Sequence, residues 1–197
     1  MKSQAKSSLT LPVHYFEQQQ DWAAWLLENH STSPGLWLKL AKKGSDVKSV
    51  SYGEALEIAL CFGWIDGQKQ AHSEQFWFQK FTRRSSKSMW SKINKEKVLV
   101  LIEAGSMHAA GLSEIERAKS DGRWESAYDP ASTATVPDDL QSALDSNARA
   151  RDFFETLDKT NRYAVLFRIQ TAKKAETRAR RILQFVQMLE RHEKLHP

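Results

Sequence analysis

Hydrophobic and polar positions follow two regimes along the 197 residues. Up to Ser88, helical periods are mixed with short alternating stretches; after it the period is helical throughout. In DWAAWLLENH, Trp22, Trp25, Leu26 and Leu27 fall in one apolar arc, which predicts a helix capped by Asp21 and ending near Asn29, before the turn Ser33-Pro34-Gly35. LWLKLAKK then alternates Leu36, Leu38 and Leu40 with Trp37 and Lys39, the pattern of a short strand. Ser51 and Glu54 make an S-x-x-E capping box that opens a helix through Ala55, Leu56, Ile58, Ala59, Leu60 and Phe62, stopped by Gly63. QFWFQKF, Gln75 to Phe81, predicts a second strand with Phe76, Phe78 and Lys80 on one face and Trp77 and Phe81 on the other. Its partner is the first strand or the segment around Ile65.

Beyond Ser88 the spacing predicts helices at 91–104 closed by Gly105, 111–121 closed by Gly122, 137–145 opened by Pro137, 147–157, 160–171 and 174–193. In the last, Ile182, Phe185, Val186 and Leu189 share a face. The polar, aperiodic start reads as a disordered arm at 1–13. The Ser/Thr/Ala/Pro-rich loop between Gly122 and Pro137 marks a boundary, giving an α+β part at 14–130 and a helical part at 131–197, packed as one unit. The expected class is α+β and predominantly helical, with a small N-terminal β element.

Composition narrows the function. A hydrophobic content of 41% with 27% charged residues is that of a globular protein, and no apolar run reaches the roughly 20 residues of a membrane span. The start lacks a continuous apolar signal region, so a cytoplasmic location is expected. Lys and Arg against Asp and Glu number 6 and 7 over residues 1–68, 8 and 2 over 69–97, 5 and 12 over 98–158, and 10 and 3 over 159–197. Two basic segments flank an acidic one, which means either an anion-binding surface or parts of one fold attracting each other.

Candidate chemistry concentrates between Gly63 and Asn94. GWIDGQ and FWFQKFTRRSSKSMWSKIN combine Trp64, Trp77 and Trp90 with Arg83, Arg84, Lys87 and Lys92. Arginine offers a planar fork of donors to phosphate or carboxylate, tryptophan a stacking face, and Ser88 at a helix start adds backbone N–H groups. Asp66 forms a turn with Gly67, pairs with Arg83 or Arg84, or faces a ligand; the turn is the reading adopted. The expected ligand site is Trp64, Asp66, Arg83, Arg84, Ser88, Trp90 and Lys92. Each tryptophan taken singly fits a core position as well. HEKLH, His192 to His196, matches the zinc pattern H-E-x-x-H by chance, followed only by Pro197. Cys61, between Leu60 and Phe62, reads as a core thiol. No metal and no cofactor are expected.

Several motifs carry a resemblance: W-L-x-x-N-H at 25–30, G-x-W-L at 35–38, Y-x-E-A-L at 52–56, F-G-W-I-D-G at 62–67, F-T-x-R at 81–84, S-x-W-S at 88–91, A-K-x-D-G-R-W at 118–124, P-D-D-L at 137–140 and A-K-x-x-E-T-R at 172–178. Together they resemble the YdeI/OmpD-associated, or bacteriocin-protection, family of bacterial proteins, from about Phe16 to Leu189. The family pattern reads F-T-P-R followed by a second basic residue; here Arg83 stands at the proline and Ser85 at that basic position. The resemblance implies an association with envelope stress and antimicrobial resistance, and no established enzymatic activity. The expected function is a cytoplasmic, noncatalytic protein binding an anion or a protein partner. The alternatives are nucleic-acid binding through 69–97 and 159–197, and an enzyme with Asp66 as base and Arg84 holding a small anionic substrate.

Overall fold

A computed structural model of the chain describes residues 10–197. They form eight helices and one four-stranded sheet, so the protein is α+β and predominantly helical. Most of the expected arm lies outside the described residues. Its end is ordered: the Pro12 carbonyl accepts from the Trp37 N–H at 2.8 Å, and β1 is Val13–His14.

The described residues divide into two compact units, residues 10–88 with 94–125, and residues 89–93 with 126–197. In the first, β1 is followed by α1 (Gln19–Asn29), β2 (Leu36–Ala41), α2 (Tyr52–Cys61), β3 (Trp64–Ala71) and β4 (Phe76–Arg83). Strand order is β1-β2-β4-β3, with β1 parallel to β2 and β4 antiparallel to both neighbours. The second predicted strand thus pairs with both of its candidate partners. α3 (Lys92–Glu103, most of it in this unit) and α4 (Ala109–Ser120) follow.

Three expectations change here. Gln18 is the N-cap of α1 and makes no side-chain cap bond, while Asp21 lies in the first turn, where a carboxylate still complements the helix dipole. β2 does not alternate: Trp37 is as buried as the leucines, and Lys39 sets its ammonium 3.9 Å from the Phe76 ring centroid, so both faces of the strand are covered. Asp66-Gly67 is no turn. β3 runs straight through it, with one extra residue inserted between the pairs Asp66–Phe81 and Lys69–Gln79. The buried Gln79 amide donates to the carbonyls of Gly67 at 2.9 Å and Gln68 at 3.2 Å, supplying the partners this β-bulge withdraws from the ladder.

The capping box opens α2 as its sequence predicts, with Ser51 Oγ accepting from the Glu54 N–H and the Glu54 carboxylate accepting from the Ser51 N–H. Hydrogen bonding from Ser51, its backbone N–H most of all and then its side chain, holds the Glu54 carboxyl below its ordinary pKa. An aromatic cluster fills the space between helices and sheet: Trp22 and Trp25 meet Trp64 edge to face, with centroids 6.3 and 5.8 Å apart.

The second unit holds α5 (Asp138–Asp145), α6 (Ala148–Glu155), α7 (Lys159–Gln170) and α8 (Ala175–Glu190). Asn147 and Asp158 cap α6 and α7. The α8 stripe Ile182, Phe185, Val186 and Leu189 is buried against Leu140, Leu144, Phe154 and Val165. Because α8 ends at Glu190 and His192 has φ +58°, HEKLH is not helical and its histidines do not share a helix face.

Candidate functional site

Arg83 ends β4 opposite Trp64, the first residue of β3, and the Arg84 N–H donates to the Gly63 carbonyl at 3.0 Å. The two arginines thereby reach the junction where α2 gives way to β3. Glycine is required there: Gly63 has φ +73°, and a Cβ on it would lie 2.9 Å from the Ala110 carbonyl oxygen. Gly111 is closer still, since its Cβ would come within 2.2 Å of the Cys61 carbonyl oxygen. These two glycines let the start of α4 dock on the end of α2, fixed by the His108 N–H donating to Cys61 O at 3.1 Å. His108 also caps α4, its Nδ1 accepting from the Ala110 N–H at 3.2 Å, while its ring stacks on Phe62 and meets His30 edge to face.

The walls so formed enclose a cleft of about 330 Å³, lined by His30 and Ser31 after α1, Phe62 and Gly63, the Arg83-Arg84 pair, and Ala110, Ser113, Glu114 and Arg117 of α4. Arg83 is exposed and donates to the Ser31 carbonyl at 2.7 Å; among the described residues no carboxylate pairs with it. Arg84 is buried. Arg117 bonds Glu114 one turn earlier and reaches the Arg84 carbonyl at 3.5 Å. The Arg83 guanidinium, with no carboxylate paired to it among the described residues, stands beside the N-terminal turns of α4, an arrangement suited to an oxyanion.

The seven expected residues do not form one cluster within the first unit. Arg83 and Arg84 line the cleft. Trp64 is fully buried in the aromatic core, and its indole N–H donates to the His30 carbonyl at 3.1 Å, so it positions the cleft wall without facing a ligand. Asp66 accepts from the Tyr52 phenol at 2.9 Å, takes no guanidinium, and does not line the cleft. Ser88 is not at a helix start, since α3 begins at Lys92; its hydroxyl accepts from the Ser85 N–H at 2.9 Å and closes a tight turn. Trp90 and Lys92 belong to the second unit, where the Trp90 carbonyl accepts from the Tyr128 N–H at 3.0 Å and Lys92 pairs with Asp129 at 2.5 Å.

Three residues outside the expected set matter. Arg117 stands in the helical stretch 111–121, where nothing in sequence links it to Arg84. His30 was visible only as part of W-L-x-x-N-H. Arg123, with a 3% exposed side chain, pairs with Asp121 at 2.7 Å and donates to the carbonyls of Ser88 at 2.9 Å and Ser85 at 3.4 Å, pinning the RRSSKS loop. The Asp-Gly-Arg-Trp motif was its signal.

The charge segments partly neutralise each other. Lys92 pairs with Asp129, and Arg178 pairs with Asp139 through two bonds of 2.5 and 2.8 Å, so basic residues of both flanking segments meet acidic ones of the middle. Among the described residues no helix is long and apolar enough to cross a membrane, and no group of histidine, cysteine and acidic residues is placed to hold a metal ion.

No curated protein and no solved structure matches the chain. Two family models do, one in each unit apart from residues 89–93. The model matching residues 133–192 bears out the resemblance in that part of the chain, while the motifs between 25 and 91 fall within the other. The chain belongs to the family described as Domain of unknown function (DUF8412) through residues 14–114, and residues 133–192 match the family described as Bacteriocin-protection, YdeI or OmpD-Associated.

Proposed function

We propose that the protein is a noncatalytic binding protein whose first unit takes a small oxyanion, a phosphate or carboxylate group, in the cleft of Arg83, Arg84 and Arg117. The observation that carries this reading is Arg83: an exposed guanidinium at the mouth of the cleft, anchored to a neutral carbonyl and with no carboxylate among the described residues to neutralise it. Its fork retains donors for a ligand, and Ser113 adds a hydroxyl from the facing helix. The description of the family that residues 133–192 match, bacteriocin protection, supports a resistance role for such binding, and the cytoplasm is the compartment we propose for it.

Calorimetric titration of the full chain with inorganic phosphate, sulfate and citrate tests the reading. Binding that weakens about tenfold in Arg83→Ala, and further in Arg83→Ala/Arg117→Ala, supports it, since a hydrogen bond to a charged group contributes about 1.5–3 kcal/mol. No binding of any of the three, or binding indifferent to both variants, rejects it.

A further inference from the structure

A second cleft lies at the other end of the β3–β4 ribbon. It measures about 680 Å³ and none of its lining residues is acidic. Lys42 and Lys43 enter it just after β2, Lys69 and Trp77 from the ribbon, and Tyr52 from the first turn of α2.

The bulge creates this arrangement. In an unbroken strand, Gln68 and Gln70 would share a face with Trp64 and Asp66. The extra residue reverses that parity, so Lys69 and Ala71 take the face instead, opposite Gln79 and Trp77. Lys69 accordingly sets its ammonium 4.4 Å from the Trp77 ring centroid. The Tyr52 ring stands 5.9 Å from Trp77 at 48°, oriented by its phenol's bond to Asp66. Among the described residues, none of Lys42, Lys43 and Lys69 is in an ion pair. Three unneutralised ammonium groups beside two partly exposed rings match a ligand with both an anionic group and a flat ring.

We propose that this cleft is a binding site for an anion carrying a planar aromatic ring, the chemistry of a nucleotide. The ring lies against Trp77 and Tyr52, and the anionic group is drawn to Lys42, Lys43 and Lys69. An anion held by Lys69 brings whatever it carries to the indole, because the ammonium and the ring are already in contact. The volume lies within the range of about 300–1,000 Å³ usual for small-molecule sites. The site is independent of the arginine cleft.

The test is calorimetry of the full chain with ADP, with its halves adenosine and pyrophosphate, and with a short single-stranded oligonucleotide. ADP is expected to bind more tightly than either half. Lys69→Ala and Lys42→Ala/Lys43→Ala, all at exposed positions, are expected to weaken ADP and pyrophosphate about tenfold each, the scale of a charged hydrogen bond. Trp77→Leu is expected to weaken ADP and adenosine while leaving pyrophosphate unchanged, as stacking on an aromatic side chain contributes about 1–3 kcal/mol per base. Oligonucleotide binding tighter than ADP, with the same variant sensitivity, assigns the site to a nucleotide within a strand; ADP binding the tighter assigns it to free nucleotide. Absence of ADP binding overturns the proposal, as does ADP binding that survives Lys69→Ala and is lost in Arg83→Ala.

Discussion

The two clefts sit at opposite ends of one β-ribbon and are built on different principles. At the Arg83 end the cations are anchored: Arg83 on the Ser31 carbonyl, Arg117 on the Arg84 carbonyl and the Glu114 carboxylate. At the Trp77 end the cations are lysines on exposed chain, and the aromatic rings are what is held. A preorganised guanidinium fork fixes the geometry of a planar oxyanion, whereas ammonium groups act as point charges and leave recognition of shape to the rings. The two proposals thus assign two kinds of anion recognition to one sheet, with the difference set at the strand ends.

Trp64→Ala should break both ends at once. It empties a fully buried core position and removes the His30 anchor, with an expected loss of about 3–5 kcal/mol in urea unfolding. If phosphate and ADP affinities both stay at wild-type values, the clefts do not depend on their common core. Gly63→Ala should separate them. Its φ of +73° and its approach to the Ala110 carbonyl imply strain of about 1–3 kcal/mol, confined to the arginine cleft. Phosphate affinity should fall while ADP affinity holds; equal losses would refute the division. The smallest effect belongs to a reference outside both clefts, Asp139→Asn in the second unit. Hydrogen bonding from Arg178 holds the Asp139 carboxyl below its ordinary value. The linked stability is therefore fully present above the unfolded carboxylate pKa of about 3.9 and is lost as pH falls through the lowered folded value. Melting temperatures of the asparagine variant should lie below wild type at neutral pH and converge with it in acid, with both ligand affinities unchanged. A gap independent of pH would assign the effect to packing.

Helix boundaries were legible because their signals are local. Ser51 with Glu54, Pro137, Gly105 and Gly122 each act within one turn of chain, and the observed ends fall within a few residues of those expected. Asp66-Gly67 shows where local reading stops. The pair has turn chemistry, yet Gln79 on the neighbouring strand satisfies the freed carbonyls and keeps the chain extended. Ser88 failed for a related reason: Arg123, 35 residues away, holds its carbonyl in a loop that precedes α3. Of the site, the Arg83-Arg84 pair was readable as charge in a basic segment. Arg117 and the lysine cleft were not, because one needs the docking of α4 on α2 and the other a parity change that no residue type announces.

The close seat of Gly111 on the Cys61 carbonyl gives the protein an internal reporter. Cys61 is the only cysteine, is 7% exposed, and has a thiol pushed up in pKa by burial, with Glu57 adding to the shift. A thiol so placed is slow to react with an alkylating reagent until the junction between α2 and α4 parts. The rate at which the native protein takes up one label is then a clock for the opening of that junction, and a ligand that closes the arginine cleft should slow it.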